Sequence, residues 1–230
     1  MIEIKFLGIS SAFQGDDTSI LVKTNINILL DCGFSTPKKL KELGHPLDFL
    51  DVIYISHAHG DHYFGLAELL YDYWGGDRKK GLTIIAASNC IDKIIKMSEL
   101  LGEPYKVEGF IKFIEVTEKS EVNIEENVFT FCRTNHIEDN LAIKILHRDK
   151  LICYSGDGIP TRNTIDFYKN CDILIHEQTF ETQEKYTHSS VKTIDAISNT
   201  VDSSKIFIVH SSENIKTNYY KPKSGETIVL

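Results

Sequence analysis

Apolar positions along this chain follow two periods. "IEIKFL" (2–7) alternates apolar and polar side chains around β-branched residues and predicts a half-buried strand. "TSILVKTNINILLDCG" (18–33) reads as two strands turning at "KTNIN". "LDVIYI" (50–55) and "LTIIAA" (82–87) are continuous apolar runs, as expected of strands covered on both faces. Helical spacing holds over "STPKKLKEL" (35–43), with Ser35 placed to cap and Pro37 in the first turn. It returns in "HYFGLAELLYDYW" (62–74), "CIDKIIKMSELL" (90–101), "TIDFYKN" (164–170) and "SSVKTIDAISNT" (189–200). Short strands with acidic turns fill 106–132, and "LAIKIL" and "LICYSGD" pair around "HRDK". "CDILIHE" (171–177) and "KIFIVH" (205–210) are the last strands. Strands alternating with helices, plus hairpins, predict a layered α/β fold. No repeat or low-complexity linker divides the chain, so residues 1–230 are expected to form one domain of two halves meeting near 110–120.

Composition narrows the function classes. Hydrophobic residues make up 42% and charged ones 25%, ordinary for a globular protein. The net charge of −8 argues against a DNA binder or a binder of anionic membranes, which carry a basic face. A small anionic substrate remains compatible where bound cations dominate the local field. The five cysteines form no C-x-x-C pair, so reduced thiols in a cytoplasm are expected rather than disulfides or a zinc knuckle. The opening "MIEIKFLGIS" mixes acid and base within five residues and reads as neither signal peptide nor anchor.

"YISHAHGDH" (54–62) then changes the picture. Three of nine histidines and an aspartate fall within six positions. On an extended exit from a strand His57 and His59 project to one side; the chain turns at Gly60 and delivers Asp61 and His62 at the start of a helix. Imidazole and carboxylate without thiolate suit zinc, manganese or iron. Further apolar strands also end in donors: "FTFCRTNH" at His136, "LICYSGD" at Asp157, "DILIHE" at His176 and Glu177, and "IFIVH" at His210. Strand C-termini are where α/β folds place their sites. His45 and His147 are expected at the surface.

From "FLGISSAF" and "ILLDCG" through H-x-H-x-D-H to the last strand-end histidine, the chain resembles the metallo-β-lactamase superfamily. The resemblance implies a four-layer αββα sandwich with two divalent metal ions, zinc first and manganese or iron next. His57, His59 and His136 would hold one ion, Asp61, His62 and His210 the other, and Asp157 would bridge them. Within that superfamily "LLDCGFS", "GLAELL", "SGDG", "LIHEQTF" and "THSS" resemble ribonuclease Z. That likeness assigns Glu177 and His188 to the reacting phosphate, with His188 as proton donor to the leaving group. Asp61 would ligate and also accept a hydrogen bond from the nucleophile.

Two features depart from ribonuclease Z. His136 and Asp157 are only 21 positions apart (157 − 136), where that family inserts a long arm that grips tRNA. After His210 the chain reads "HSSENI", without the family's arginine. The expectation is therefore a binuclear metal-dependent phosphodiesterase acting on a cyclic nucleotide or short RNA. Compact relatives of that kind can complete their pocket with a dimer partner, so a homodimer is expected. tRNA 3′ processing is the alternative, for which "GGDRKKG" (75–81) is the one basic run; acyl, thioester or lactone hydrolysis is a further one. The aromatic run "YDYWGGD" (71–77) could stack a base through Tyr73 or Trp74, form a dimer face, or simply fill the core.

Overall fold

The computed structural model describes residues 1–12, 14–76, 78–101, 111–182, 184–185, 187–211 and 214–230. Residues 106–110 of the predicted strand region, Asp77 of the aromatic and basic runs, and Ser212 and Glu213 of "HSSENI" lie outside the described residues. Two sheets carry the fold. The first runs β13 (Thr227–Val229), β1 (Glu3–Gly8), β2 (Ser19–Lys23), β3 (Asn27–Leu30), β4 (Val52–Tyr54), β5 (Leu82–Ala86), β6 (Ile111–Glu115). The second runs β12 (Ile206–Val209), β11 (Ile173–Glu177), β10 (Lys150–Tyr154), β9 (Leu141–His147), β8 (Asn127–Arg133), β7 (Glu121–Ile124). The chain leaves the first sheet after Glu115 and enters the second at Glu121, returning to the first only with β13.

Side-chain alternation builds the layers. Ile4, Val22, Ile28, Val52 and Tyr54 of the first sheet meet Phe129, Ile143, Ile145, Tyr154 and Ile175 of the second in one central core. Residues of opposite parity face helices instead. Leu29, Ile53 and Ile84 pack against α1 (Thr36–Glu42), α3 (Gly65–Gly75) and α4 (Ser88–Leu100). Cys153, Leu174 and Ile208 pack against Ile194 and Ile197 of α6 (Val191–Ser198) and against Tyr168, just after α5 (Arg162–Phe167). The result is the four-layer αββα order. Strands β3 to β6 are parallel to one another, as are β10 to β12, so the C-terminal ends of β4, β10, β11 and β12 deliver their following residues to the site.

Some local expectations change. The helix predicted over 62–74 is two pieces, α2 (Gly60–Tyr63) and α3, with Phe64 between them. Gly65 N donates to Cys32 O at 3.0 Å there, and a Cβ on Gly65 would overlap the Gly33 carbonyl. Ser35 makes no side-chain cap; its own N–H donates 3.3 Å to Asp17 Oδ2, which anchors the start of α1 from outside. His147 is buried rather than exposed, because it shares the parity of Ile143 and Ile145 and so faces the other sheet. His45 is half-buried, stacked on Phe49 at 3.7 Å. β13 is an edge strand of alternating exposure, too short to stand out in the sequence.

Candidate metal centre

Seven donors from four chain segments converge. His57, His59, His136 and Asp157 form one group in which each offers a ligand atom, all within 4.8 Å of one another; Asp61, His62 and His210 form a second, and Asp157, His188 and His210 a third that overlaps both. Nε2 of His57 and Nε2 of His136 lie 3.0 and 3.2 Å from Nδ1 of His59. Asp157 stands between the groups, with Oδ2 3.7 Å from His57 Nε2, 3.4 Å from His62 Nε2 and 3.4 Å from His210 Nε2. Asp61 Oδ2 approaches His210 Nε2 at 3.2 Å and His62 Nε2 at 3.5 Å. A glycine makes this approach feasible: Gly156 has φ +58°, and a Cβ on it would overlap Asn140 Oδ1 and Ser56 Cβ. Gly156→Ala is expected to cost ~1–3 kcal/mol in backbone strain alone. It should also shift Asp157, so thermal unfolding and metal affinity measured together should both fall.

Four of the five imidazoles are fixed through the nitrogen that faces away from the centre. Nδ1 of His57 meets Ser56 Oγ at 3.0 Å, and Nδ1 of His62 meets Asp31 Oδ2 at 2.7 Å. Nδ1 of His136 meets Thr187 Oγ1 at 3.2 Å, and Nδ1 of His210 meets Thr179 Oγ1 at 2.9 Å. Donation from Nδ1 leaves the Nε2 lone pair for a cation, the usual arrangement of histidine ligands. Asp31 is the hub of this outer ring. Fully buried, it accepts from Ser56 N and Oγ at 2.7 Å each, from His62, and from Tyr154 OH at 2.6 Å.

The electrostatics suit cations. Burial, then the neighbouring imidazoles, pushes His57 well below its usual range, and burial likewise lowers His59 and His136, so these three are neutral at pH 7. Burial opposes ionisation of Asp61, but the hydrogen bond from His210 and the charges of His62 and His210 hold it at about 2. Asp157 is likewise held down by His210, His62 and His57 against its burial. Two buried atoms in the middle, Nε2 of His62 and Oδ1 of Asp157, have no hydrogen-bond partner among the described residues. Orphaned buried groups of this kind, ringed by imidazole nitrogens and ionised carboxylates, fit divalent cations.

Glu177 and His188 stand beside the centre in different ways. Strand parity sends Glu177 inward and His176 outward, where the His176 ring lies 5.6 Å from Tyr168 and takes no part in the site. Glu177 is fully buried; Oε1 accepts from Gly158 N (3.1 Å) and Ser189 N (2.8 Å), and Oε2 from Thr179 N (3.0 Å) and Thr179 Oγ1 (2.9 Å). Oε1 also faces His188 Nδ1 at 3.3 Å. His188 keeps 16% of its side-chain surface exposed and stacks on His210 with centroids 5.3 Å apart. Glu177 thus orients His188 rather than reaching the cleft.

Sequence reasoning did not single out Asp31, Ser56, Thr179 or Thr187. Only Asp31 left a signal, as a charged residue ending the apolar run "NILLD". Tyr73 is buried beneath the Arg78 guanidinium (4.5 Å), so it stacks no base, whereas Tyr71 and Trp74 are exposed. Arg78 itself donates to the carbonyls of Leu47, Leu50, Lys80 and Gly81 and is a structural staple, not part of a basic stripe.

Comparison with known proteins agrees with this geometry. The chain is 25% identical over 242 residues to ribonuclease Z of Picrophilus torridus, covering 82% of this chain and 77% of that one. It is 28% identical over 243 residues to the Anti-Pycsar protein Apyc1 of Bacillus phage 010DV004, covering 96% and 93%. In fold it superposes on the metallo-β-lactamase fold protein YhfI of Bacillus subtilis with a TM-score of 0.84 at 20% identity, covering 99% and 98%. Human tRNase Z, short form, superposes with a TM-score of 0.79 at 20% identity, covering 99% and 98%. The family model for Anti-Pycsar protein Apyc1 matches residues 2–229. A metallo-β-lactamase fold matched over its whole length by that model places the chain in the Anti-Pycsar protein Apyc1 family.

Proposed function

We propose that this protein is a binuclear metal-dependent phosphodiesterase acting on a small cyclic nucleotide. The observation that carries this reading is His188, held by buried Glu177 at the edge of the donor cluster, beside Asp157 and His210. A thiolate leaves a thioester without a proton, whereas an alkoxide leaving phosphorus takes one from a placed donor. His57, His59, His136 and Asp157 would hold one cation, and Asp61, His62 and His210, with Asp157 shared, the second. Such cations, zinc by preference over manganese or iron, supply Lewis acidity toward phosphoryl oxygens and a water that is nucleophilic near neutral pH. Asp61, whose Oδ2 faces His210, would use its other oxygen to accept a hydrogen bond from the nucleophilic water. His188 keeps its Nδ1–H on Glu177 and gives the proton on Nε2 to the departing ribose oxygen.

Ribonuclease Z activity is the second reading, supported by the identity to the Picrophilus protein. Against it stand the β9–β10 hairpin in place of a tRNA-gripping arm and the structural use of Arg78. A cytoplasmic homodimer completes the proposal. The five cysteines are free, no helix among the described residues is long and apolar enough to cross a membrane, and Tyr71 and Trp74 offer apolar surface to a second copy. The test is parallel turnover of 3′,5′-cyclic nucleotides and a precursor tRNA by one preparation. Cyclic nucleotide hydrolysis without trailer removal is expected; trailer removal alone would overturn the reading.

A further inference from the structure

Beside the metal centre lies a cavity of about 510 Å³ lined by Ala12, Gly15, Asp17, Phe34, Gly60 and Asp61. It shares Asp61 with the donor cluster, so a ligand whose phosphate lies at the centre can extend into it without leaving the surface. Its volume falls in the usual range for small-ligand sites. Phe34 is 57% exposed, an unusual state for a phenylalanine at a loop–helix junction. Phe34 and Phe64 meet edge to face, with centroids 5.5 Å apart and planes at 82°, which fixes the ring's orientation. Gly60 permits this pair: a Cβ there would stand 3.1 Å from the Phe64 ring and 3.5 Å from Phe34 Cζ.

We propose that this cavity is the base pocket of the nucleotide substrate and that Phe34 is its stacking platform. The inference rests on the phosphodiesterase reading above and deepens it. An aromatic face accepts any nucleobase through stacking, so the pocket favours a base without selecting one. Asp17 is buried on the same cavity, with Oδ2 taking the Ser35 N–H.

The test compares two substrates on the metal-loaded protein. One is a 3′,5′-cyclic nucleotide; the other is ribose 3′,5′-cyclic phosphate with a methoxy group in place of the base. The ratio of their kcat/KM values reads the base contribution alone. Phe34→Ala should lower that ratio about tenfold, chiefly through KM of the nucleotide, and Phe34→Trp should restore it. Circular dichroism confirms that both variants fold. If Phe34→Ala leaves the ratio unchanged while the nucleotide is still hydrolysed, the base pocket is wrong and the phosphodiesterase reading stands. If the parent protein hydrolyses neither compound, both fall together.

Discussion

Asp31→Ala is expected to be the most damaging single change outside the ligands themselves. Asp31 holds a left-handed backbone (φ +57°) at the end of β3 and is fully buried. It accepts hydrogen bonds from four donors on three residues: Ser56 N, Ser56 Oγ, His62 Nδ1 and Tyr154 OH. Removing the acceptor leaves Ser56 N, His62 Nδ1 and Tyr154 OH without the partner they have here and Ser56 Oγ with only His57; loss of one partner from a buried charged network costs ~3–5 kcal/mol. The effect reaches the centre directly. His62 loses the partner that fixes its tautomer, and Ser56, which holds His57, loses its own anchor. Losing such support lowers metal affinity by roughly 10–100-fold. Competition against a chelator, with thermal unfolding in its presence and absence, separates the two losses. Asp31→Asn keeps the shape but turns an amide N–H toward a donor, so it should fold better and still bind metal more weakly. Unaltered metal affinity in both variants would show that His62 does not depend on Asp31.

His188→Ala is expected to lower kcat for a cyclic nucleotide by about 10²–10⁴, the usual contribution of a placed general acid, while metal content is retained. A nitrophenyl phosphodiester, whose phenolate departs without a proton, should lose far less. Equal losses on both substrates would mean that His188 acts by some other route. The pH profile carries a second signature. Burial pulls the His188 pKa down, but the hydrogen bond to Glu177 and the charges of Asp157 and Glu177 outweigh it, so the net shift is upward. A raised folded-state pKa keeps the donor protonated beyond about pH 6.5, the ordinary histidine value, so the basic limb of kcat should lie above it. The same shift contributes stability that is fully present below the ordinary value and is lost as pH rises through the raised one. Glu177→Gln should move the basic limb to lower pH.

Legibility in the sequence followed the distance over which each feature is written. The H-x-H-x-D-H run packs four donors into one turn, and His136, Asp157 and His210 each follow an apolar strand, so proximity to a strand end marked them. The outer ring is written otherwise. Asp31 meets Tyr154 across 123 positions, Thr179 meets His210 across 31, and Thr187 meets His136 across 51. No local period encodes such pairs. Parity settles what composition could not: Ile173 and Ile175 face the central core, so Glu177 does too, and His176 is turned away. His147 followed the same rule, and a hairpin position concealed its burial. Phe34 lies within "LLDCGFS", where no local pattern marks it; its exposure beside a cavity emerges once β3, α1 and α2 are brought together.

The most direct test of a two-cation phosphodiesterase is to strip the protein of metal and titrate zinc back while following cyclic nucleotide turnover. Activity should be absent at the start and stay low through the first equivalent per chain. It should then rise with the second and reach a plateau there, with manganese reproducing the stoichiometry. Full activity at one equivalent would contradict the shared role of Asp157, and turnover by the stripped protein would contradict the metal centre altogether.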